Sequence, residues 1–428
     1  MTATATKAPE VTSEQRARAK RAVIAASVGN VLEWFDIIVY ASFAVVISKL
    51  FFPSAGGVTG LLLTFGTFAL SYLIRPLGAV VLGSYGDKAG RKKALTVTIL
   101  LMTLGTGMMA FAPTAAAIGA WAGLIILISR LLQGFSAGGE FGTSTAFLIE
   151  HAPDRKAFYG SWQAATQGAS MFLASVFGFG LNALLSQDSL ESWGWRVPFI
   201  CGMFIGPVGL YIRMKMDETA EFVEAEVVSS PVATTFTRHL DRVLSAAAIV
   251  GFASISVYLI VYMPTFAVKS LHLPTYAGYL GGIISGVVTL VGAPYVGKLA
   301  DRVGCVRVMT VAAAAAIVLG WPLFKILVGN PNVMTLTVVQ VILGILLAFY
   351  FGPLPALLAE MFPTGIRSTG MSVSYNIGVT VFGGFAPLIL TWLIASTGSL
   401  LAPSYYYVAV VVVSLTGLSV ARTRLGHR

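Results

Sequence analysis

Long apolar runs separated by short polar stretches recur along the whole chain. A run of about 20 residues is needed to cross the roughly 30 Å of hydrocarbon in a bilayer, and the sequence holds twelve runs of about that length or longer. We therefore predict an all-α membrane protein with twelve transmembrane helices, six in each half. The predicted limits are 22–47, 58–83, 94–112, 117–149, 158–186, 196–213, 243–268, 276–297, 306–328, 334–360, 368–396 and 403–421.

The second half contains a partial copy of the turn that is predicted after the second run. Gly83–Leu95 holds Asp87 and four cationic residues, and Gly297–Gly304 repeats its Gly, Asp and Gly positions 214 residues later. A second pair of signals, Glu150-x-x-Pro153 and Glu360-x-x-Pro363, has an offset of 210. Two echoes at nearly equal offsets indicate a duplicated unit, as in many transporters. We expect two pseudo-symmetric six-helix bundles.

Composition and charge agree with a chain that lies in lipid. Hydrophobic residues make up 56% of 428 positions and charged residues 11%, against roughly 25% charged in soluble domains. Of the 28 Lys and Arg residues, 22 fall in the tails, the linker and the turns on one side. Because Lys and Arg accumulate in cytoplasmic loops, we predict an inner-membrane protein with both termini in the cytoplasm. The net charge of +10 needs no nucleic-acid partner.

The longest polar stretch divides the chain into regions. We predict a cytoplasmic tail over 1–21, a bundle over 22–213, a cytoplasmic linker over 214–242, a second bundle over 243–421 and a short tail over 422–428. The basic amino terminus precedes a run longer than a signal-peptide core, so we expect an uncleaved first helix. The two cysteines and four histidines show no metal-ligand, nucleophile or disulfide spacing. We predict no enzyme activity, no catalytic residue, no metal and no cofactor.

Charged residues inside the first span are the first candidates for function. Such a charge costs about 2.5–3.5 kcal/mol on insertion scales, so it marks a functional site by default. Asn30, Glu33, Asp36 and Tyr40 share one helical face. Glu33 lies about 16 Å from the start of the span at 1.5 Å per residue, near the bilayer midplane.

The second and fourth spans carry arginines that could form ion pairs with these acids. Arg75 lies about 12 Å from the predicted cytoplasmic end of its span. In the fourth span Arg130, Gln133 and Glu140 share a face, and the glycines at 134, 138 and 142 form a separate stripe suited to close helix packing.

Two interpretations of these charges stay open. They can be internal ion pairs that brace the bundle, for example Arg130 with Glu140 or with Asp36. Alternatively they serve transport, and three acids with two arginines exceed what bracing would need. On the second interpretation Arg75 and Arg130 bind an anionic substrate, and the polar residues on the same faces extend that substrate site: Asn30, Tyr40 and Gln133. Glu33, Asp36 and Glu140 are then candidates for carrying protons.

Uncharged polar residues extend the candidate site to other spans. Gln163 and Gln167 lie on one face of the fifth span, and a neutral packing role is as plausible for them. The second half has almost no acids in its spans. Its candidates for lining a cavity are Tyr258, Tyr375 and Asn376, with Tyr262 and Tyr350 beside them. Tyrosines near span ends also form interfacial belts, which is the alternative for these residues.

These motifs together resemble a known family. Gly83–Leu95 is similar to the loop between helices 2 and 3 of the major facilitator superfamily, and Arg130–Gly138 to its fourth-helix motif. Four further segments resemble the metabolite:proton symporter branch. They are Gly29–Asp36, Gly160–Gln163, Gly194–Phe199 and Ala359–Thr364.

Within that branch, three segments look most like citrate and tricarballylate carriers. They are Leu61–Asp87, Arg130–Gly142 and Ser192–Phe199. The proline and betaine carriers match less well, because their long C-terminal coiled coil has no counterpart here.

The resemblance also implies a latch on the cytoplasmic side. Its first-half residues are Gly83, Asp87, Arg91 and Glu150, and the second-half counterparts are Asp301, Arg302, Glu360 and Arg367. The second-half copy lacks the Gly-Arg pair, so its latch is expected to be weaker.

The resemblance implies uptake of organic acids or zwitterions with protons, by alternating access around a central site. We expect a proton symporter for a small carboxylate such as citrate, with the substrate, protons and the lipid bilayer as partners and a monomer as the working unit. The alternatives are a carrier of zwitterions or aromatic acids and, in another functional class, a membrane sensor that transports nothing.

Overall fold

A computed structural model describes residues 33–89, 91–138, 140–150, 155–214, 231–363 and 366–424, with Ser27, Asn30, Val31 and Gly426. Within these residues every regular element is helical. Among these residues the amino-terminal bundle contains six long helices. They are α1 (Glu33–Ser42 and Ala44–Phe51), α2 (Gly57–Leu73 and Arg75–Ala89), α3 (Arg91–Ala110), α4 (Trp121–Ala137 and Glu140–Glu150), α5 (Lys156–Gly160 and Trp162–Leu184) and α6 (Val197–Met214).

The carboxy-terminal bundle contains the other six membrane helices of the described chain. They are α7 (Leu240–Lys269), α8 (Ala277–Val303), α9 (Cys305–Gly329), α10 (Val333–Phe351 and Leu354–Met361), α11 (Arg367–Val379, a π-helical turn Thr380–Gly384, and Ala386–Thr397) and α12 (Ala402–Thr423). Each predicted span corresponds to one of these helices, so the twelve-helix prediction is confirmed.

Length and hydropathy support the membrane assignment. Nine of the described helices are long and apolar enough to cross a bilayer, and α1 makes ten if its two parts, bent by 68°, form one span. The apolar part of α3, Thr96–Ala110, is shorter. In the predicted linker the structure describes a short helix, Pro231–Arg238, which packs on α7 and α11.

The predicted turn Gly83–Leu95 is wrong in its extent. Helix α2 continues to Ala89 and α3 starts at Arg91, so most of the motif is helical. Hydropathy marks where a helix leaves the hydrocarbon, whereas polar residues can continue the helix into water. The second half repeats this arrangement, because α8 ends at Val303 and α9 starts at Cys305, both exactly 214 positions later.

The connection between α8 and α9 explains why the motif ends in glycine. Gly304 has φ of 103°, a region that side chains with a Cβ rarely adopt. It is the only residue between the two helices. The corresponding Gly90 lies outside the described residues.

The two bundles face each other through α1, α2, α4 and α5 on one side and α7, α8, α10 and α11 on the other. Helix α5 packs along α8, and α4 packs on α11 through its last part. Helix α7 is buried along almost its whole length. We call the end of the molecule at which α1 begins and α12 ends the terminal side, and the opposite end the distal side.

The glycine stripe predicted on α4 is confirmed as a packing surface. A Cβ on Gly134 would lie 1.9 Å from the Ser71 carbonyl oxygen of α2, and one on Gly138 would lie 2.1 Å from that of Arg75. A Cβ on Gly142 would lie 2.1 Å from Ser372 Oγ of α11, in the other bundle. The stripe therefore holds α4 against α2 and, at the terminal side, against α11.

Candidate functional site

An ion pair between α1 and α4 lies inside the amino-terminal bundle. Arg130 Nη2 donates to Asp36 Oδ2 at 3.2 Å, and the two side chains are 2% and 3% exposed. Gln133 Nε2 donates to the same oxygen, and the Arg130 guanidinium lies 4.4 Å from the centre of the Tyr40 ring. The pairing of Arg130 with Asp36, one of the two partners considered from the sequence, is thus present.

Several predicted substrate residues make their polar contacts inside the same bundle. The Tyr40 hydroxyl donates to the Thr64 carbonyl oxygen at 3.1 Å and lies 2.6 Å from Thr67 Oγ1. The Asn30 amide donates to Thr166 Oγ1 and accepts from Gln163 Nε2 at 3.4 Å. These bonds join α1 to α2 and α5. A substrate role for these residues stays a prediction.

Arg75 occupies a different position, at the surface between the bundles. It is 2% exposed, and its guanidinium carbon lies 4.0 Å from the Tyr72 ring centre and 5.7 Å from that of Trp34. Because α2 extends to Ala89, Arg75 lies about 21 Å from the end of its helix at 1.5 Å per residue, and the length beyond residue 83 is the polar part of the helix outside the predicted span. Its Nε has no hydrogen-bond partner among the described residues.

The local sequence creates the break in α2 that precedes this arginine. Pro76 has no N–H, so it cannot donate to the carbonyl oxygen of Tyr72 four residues earlier. That oxygen accepts instead from Thr380 Oγ1 of α11 at 3.2 Å. Thr380 begins the π-helical turn of α11. A side chain of the opposite bundle thus satisfies a backbone group that proline leaves open, as is usual inside membranes.

A small cavity between the bundles is lined in part by Trp34, on whose ring Arg75 packs. Its wall includes Trp34, Gln167, Ser254, Tyr258 and Tyr375, contributed by α1, α5, α7 and α11, and its volume is about 10 Å³. That is close to the space needed for one water molecule. Gln167 Oε1 is buried without a hydrogen-bond partner in the described structure.

Aromatic contacts close this cavity toward the distal side. The Phe68 and Tyr72 rings of α2 each lie 5.8 Å from the Tyr258 ring of α7, and the Tyr72 and Tyr258 hydroxyls are hydrogen-bonded to each other. One turn further out, Phe65 lies 5.8 Å from Tyr262. This wall joins one bundle to the other.

A second set of contacts closes the cavity toward the terminal side. The rings of Phe141 on α4 and Tyr375 on α11 stack with centroids 3.4 Å apart. The Asn376 amide donates to the Gly138 carbonyl oxygen at 2.7 Å. In the described chain, contacts between the bundles are therefore present on both sides of the cavity.

The second-half latch residues lie at the terminal side. Asp301 Oδ1 accepts from the Ala157 N–H at 2.8 Å and Oδ2 from the Phe158 N–H at 3.1 Å. The carboxylate of α8 thereby caps the first turn of α5 in the other bundle, where a negative charge is favoured. Arg302 and Glu360 are exposed, and Arg367 Nε donates to the Ala359 carbonyl oxygen at 3.1 Å.

The first-half latch residues cannot be placed in the same way. Gly83, Asp87, Arg91 and Glu150 lie in helices, but their side chains lie outside the described residues. The three acids proposed as proton carriers, by contrast, lie around one cavity. Glu33, Asp36 and Glu140 all line a second cavity, whose wall is formed by α1, α3, α4 and α6.

Sequence reasoning missed the aromatic partners of Arg75. Trp34 lies between the two acids of the first span, and Tyr72 lies one helical turn before Arg75. The spacing of Tyr72 was a usable signal, because residues three apart share a face. Phe141, which covers Tyr375, gave no signal that distinguishes it from the other apolar residues of its span.

Comparison with known proteins agrees with this architecture. The family model described as Major Facilitator Superfamily matches residues 26–387 and 286–425. A crystal structure of a D-xylose-proton symporter covers 94% of this chain and 97% of its own with a TM-score of 0.74 at 16% identity. The partially occluded inward-open xylose transporter XylE from E. coli also gives a TM-score of 0.74, at 14% identity, over 95% of this chain and 97% of its own.

Curated relatives are similar over nearly the whole length. A citrate-proton symporter of Klebsiella pneumoniae is 36% identical over 389 residues, 90% of this chain and 88% of the relative. A proline/betaine transporter of Escherichia coli (strain K12) is 33% identical over 434 residues, 97% of this chain and 86% of the relative. The resemblance inferred from the motifs is confirmed, and these relatives are transporters rather than enzymes. The chain therefore belongs to the major facilitator superfamily.

Proposed function

We propose that this protein imports a small organic acid, citrate or another di- or tricarboxylate, together with protons. Transport proceeds by alternating access between the bundles, in the bacterial inner membrane and with both termini in the cytoplasm. Citrate-proton symporters at 36% and 32% identity support this proposal. The terminal side then faces the cytoplasm.

The observation that carries the proposal is the buried Arg75 beside the cavity between the bundles. A guanidinium presents a fork of donors that matches a carboxylate, and the Nε of Arg75 lacks a partner in the described structure. Gln167 Oε1, on the cavity wall, lacks a donor. A hydroxy-carboxylate such as citrate supplies an acceptor for the first group and a donor for the second.

The Asp36–Arg130 pair supplies a means of coupling. An anion that enters a cell with a negative interior works against about 2.3 kcal/mol per charge per 100 mV, so import needs accompanying protons. A proton on Asp36 would cancel its charge and free Arg130 from its partner. Proton binding would thereby change the charge balance between α1 and α4, and Glu33 and Glu140 are further candidates for the same task.

A zwitterion such as betaine is the second candidate. Proline/betaine transporters are nearly as similar as the citrate symporters, and aromatic rings such as those of Trp34 and Tyr72 bind quaternary ammonium groups. In this structure, however, the Arg75 guanidinium lies against both rings, at 5.7 and 4.0 Å from their centres. The cation position of such a cage is therefore taken, which favours a carboxylate.

Uptake into proteoliposomes tests the proposal. Radiolabelled citrate is supplied with and without an inward proton gradient, in competition with 2-oxoglutarate or betaine. We expect gradient-dependent accumulation that betaine does not reduce. Arg75→Lys keeps the charge but loses the fork, so its KM should rise at least tenfold, and Arg75→Gln should abolish uptake.

Lys269→Gln is the matched control, because it removes one cation from the exposed end of α7. It should transport as the wild type does. Gradient-driven uptake of betaine but not citrate would overturn the substrate. Binding without flux for any of these compounds would indicate a sensor.

A further inference from the structure

The amino-terminal bundle contains a cavity of its own, apart from the one between the bundles. Its volume is about 40 Å³, and none of its lining residues lines the cavity near Arg75. The wall carries three acids and several hydroxyl groups, with the glycines of α6 opposite. The principal residues are Glu33, Asp36, Thr106, Ser136, Glu140 and Gly202. The space suffices for a few water molecules.

The cavity extends along the helices that line it. On α3 its wall runs from Thr98 to Thr106, and on α6 from Gly202 to Gly209. At 1.5 Å per residue these stretches span about 12 and about 10 Å. Glu140 lies near the terminal end of this space, since the last part of α4 begins there. The opposite end is at the level of Asp36.

Asp36 presents one oxygen to the ion pair and the other to this space. Oδ2 accepts from Arg130 and Gln133. Oδ1 is buried, and no hydrogen-bond partner for it exists among the described residues. A Cβ placed on Gly202 would lie 3.8 Å from Oδ1, so this oxygen faces the cavity wall formed by α6. The side chain as a whole is 2% exposed.

The other carboxylate oxygen of Asp36, Oδ2, is surrounded by side chains. Arg130, Gln133 and the Tyr40 ring pack around Oδ2. A proton on Asp36 can therefore leave most directly through the internal cavity. The charged groups facing that path are Glu33 and Glu140 on its wall, with Arg130 behind Asp36.

We propose that the internal cavity is a hydrated proton path that connects Asp36 with the terminal side by way of Glu140, separate from the substrate path. The Asp36 carboxylic acid gives its proton to water, water passes a proton to the Glu140 carboxylate, and Glu140 releases it to solvent. Only O–H bonds break and form, and Arg130 neutralises the Asp36 carboxylate that remains. This inference rests on the proposed proton symport.

Filling the cavity tests the path. Gly202→Leu places a side chain between α6 and Asp36, while Gly180→Leu on α5 is the matched control because nothing lies within 4 Å of a Cβ there. Each protein is reconstituted with a pH dye inside the vesicles. Citrate exchange at equal pH and proton entry driven by citrate are then measured separately.

We expect Gly202→Leu to keep exchange within about twofold while citrate-driven proton entry falls at least tenfold. Glu140→Gln should also slow proton entry more than exchange. Gly180→Leu should change neither rate. If Gly202→Leu does not fold, Gly202→Ala serves, since its Cβ meets no atom closer than 3.4 Å, and it should slow proton entry by a smaller factor.

The outcomes separate this inference from the function on which it rests. Wild-type protein that moves citrate without protons would overturn the proposed symport. Wild-type coupling that survives unchanged in the Gly202 variants and in Glu140→Gln would overturn the internal path alone. Equal loss of exchange and proton entry in the Gly202 variants would show that the cavity serves packing, and would also overturn the path.

Discussion

Removing the two charges of the Asp36–Arg130 pair, singly and together, should show whether the pair only stabilises the bundle or also couples protons to transport. At 3.2 Å and an effective dielectric constant of about 20, two unit charges attract by about 5 kcal/mol. Burial opposes this attraction, because each ion has lost its hydration. The net contribution of the pair to the free energy of unfolding is therefore much smaller than the stability lost when one partner is left buried alone.

The two single substitutions should differ in their cost. Asp36→Leu leaves a buried guanidinium that cannot be deprotonated, so we expect the free energy of unfolding to fall by about 3–5 kcal/mol. Arg130→Met leaves a carboxyl group that can take up a proton and become neutral, so its cost should be smaller, about 1–3 kcal/mol. The double variant replaces the pair by apolar side chains and should lie within about 1 kcal/mol of the wild type.

Unfolding in mixed micelles with increasing SDS measures these differences, and uptake into proteoliposomes measures transport of the same proteins. We expect the double variant to be stable and unable to accumulate citrate against a gradient. A stable double variant with normal accumulation would mean that the pair only braces the bundle. Single-variant losses that simply add in the double variant would refute the electrostatic argument itself.

Three further predictions concern surfaces away from this pair. Asp301→Ala removes the cap on α5 and should favour opening of the terminal side by about 0.5–2 kcal/mol, as for other helix caps. A cysteine placed in that interface should then be labelled faster than in the wild type. An unchanged labelling rate would exclude a latch at Asp301. Gly142→Val should prevent closure of α4 on α11 and abolish transport. Gly66→Val should be tolerated, because nothing lies within 4 Å of a Cβ at that position. Equal transport activity in the two variants would contradict the packing argument. Partial burial raises the pKa of Glu191, but the hydrogen bonds from Lys49 at 2.7 Å and from Gln187 at 2.6 Å, together with the charge of Lys49, outweigh it and hold the pKa below its ordinary 4.5. Glu191→Gln should therefore destabilise by less than about 1 kcal/mol at pH 7. Thermal melts should show this difference vanish as the pH falls through the lowered pKa rather than persist in acid.

The sequence contains enough to predict the helices and part of the site. Apolar runs give the twelve spans because the bilayer fixes their length, and the duplicated Gly-Asp-Gly motif gives the two bundles. The pairing of Asp36 with Arg130 could be anticipated as one of two options, because both are costly charges in spans of the same bundle.

Contacts between helices distant in sequence could not be predicted in this way. The hydrogen bond between Tyr72 and Tyr258 depends on how α2 meets α7, which no single-span pattern encodes. The same holds for Thr380, whose contact with the Tyr72 carbonyl follows from a proline in another bundle. Helical periodicity gives the face on which a side chain lies, but it does not give the partner that this face meets.

The central claim is that Asp36 couples protons to a substrate bound at Arg75. Its most direct test is the citrate-driven pH change inside proteoliposomes carrying wild type or Asp36→Asn, measured beside citrate exchange. We expect wild-type vesicles to acidify when citrate is added, and Asp36→Asn vesicles to exchange citrate without acidifying. Acidification by Asp36→Asn at the wild-type rate would contradict this claim.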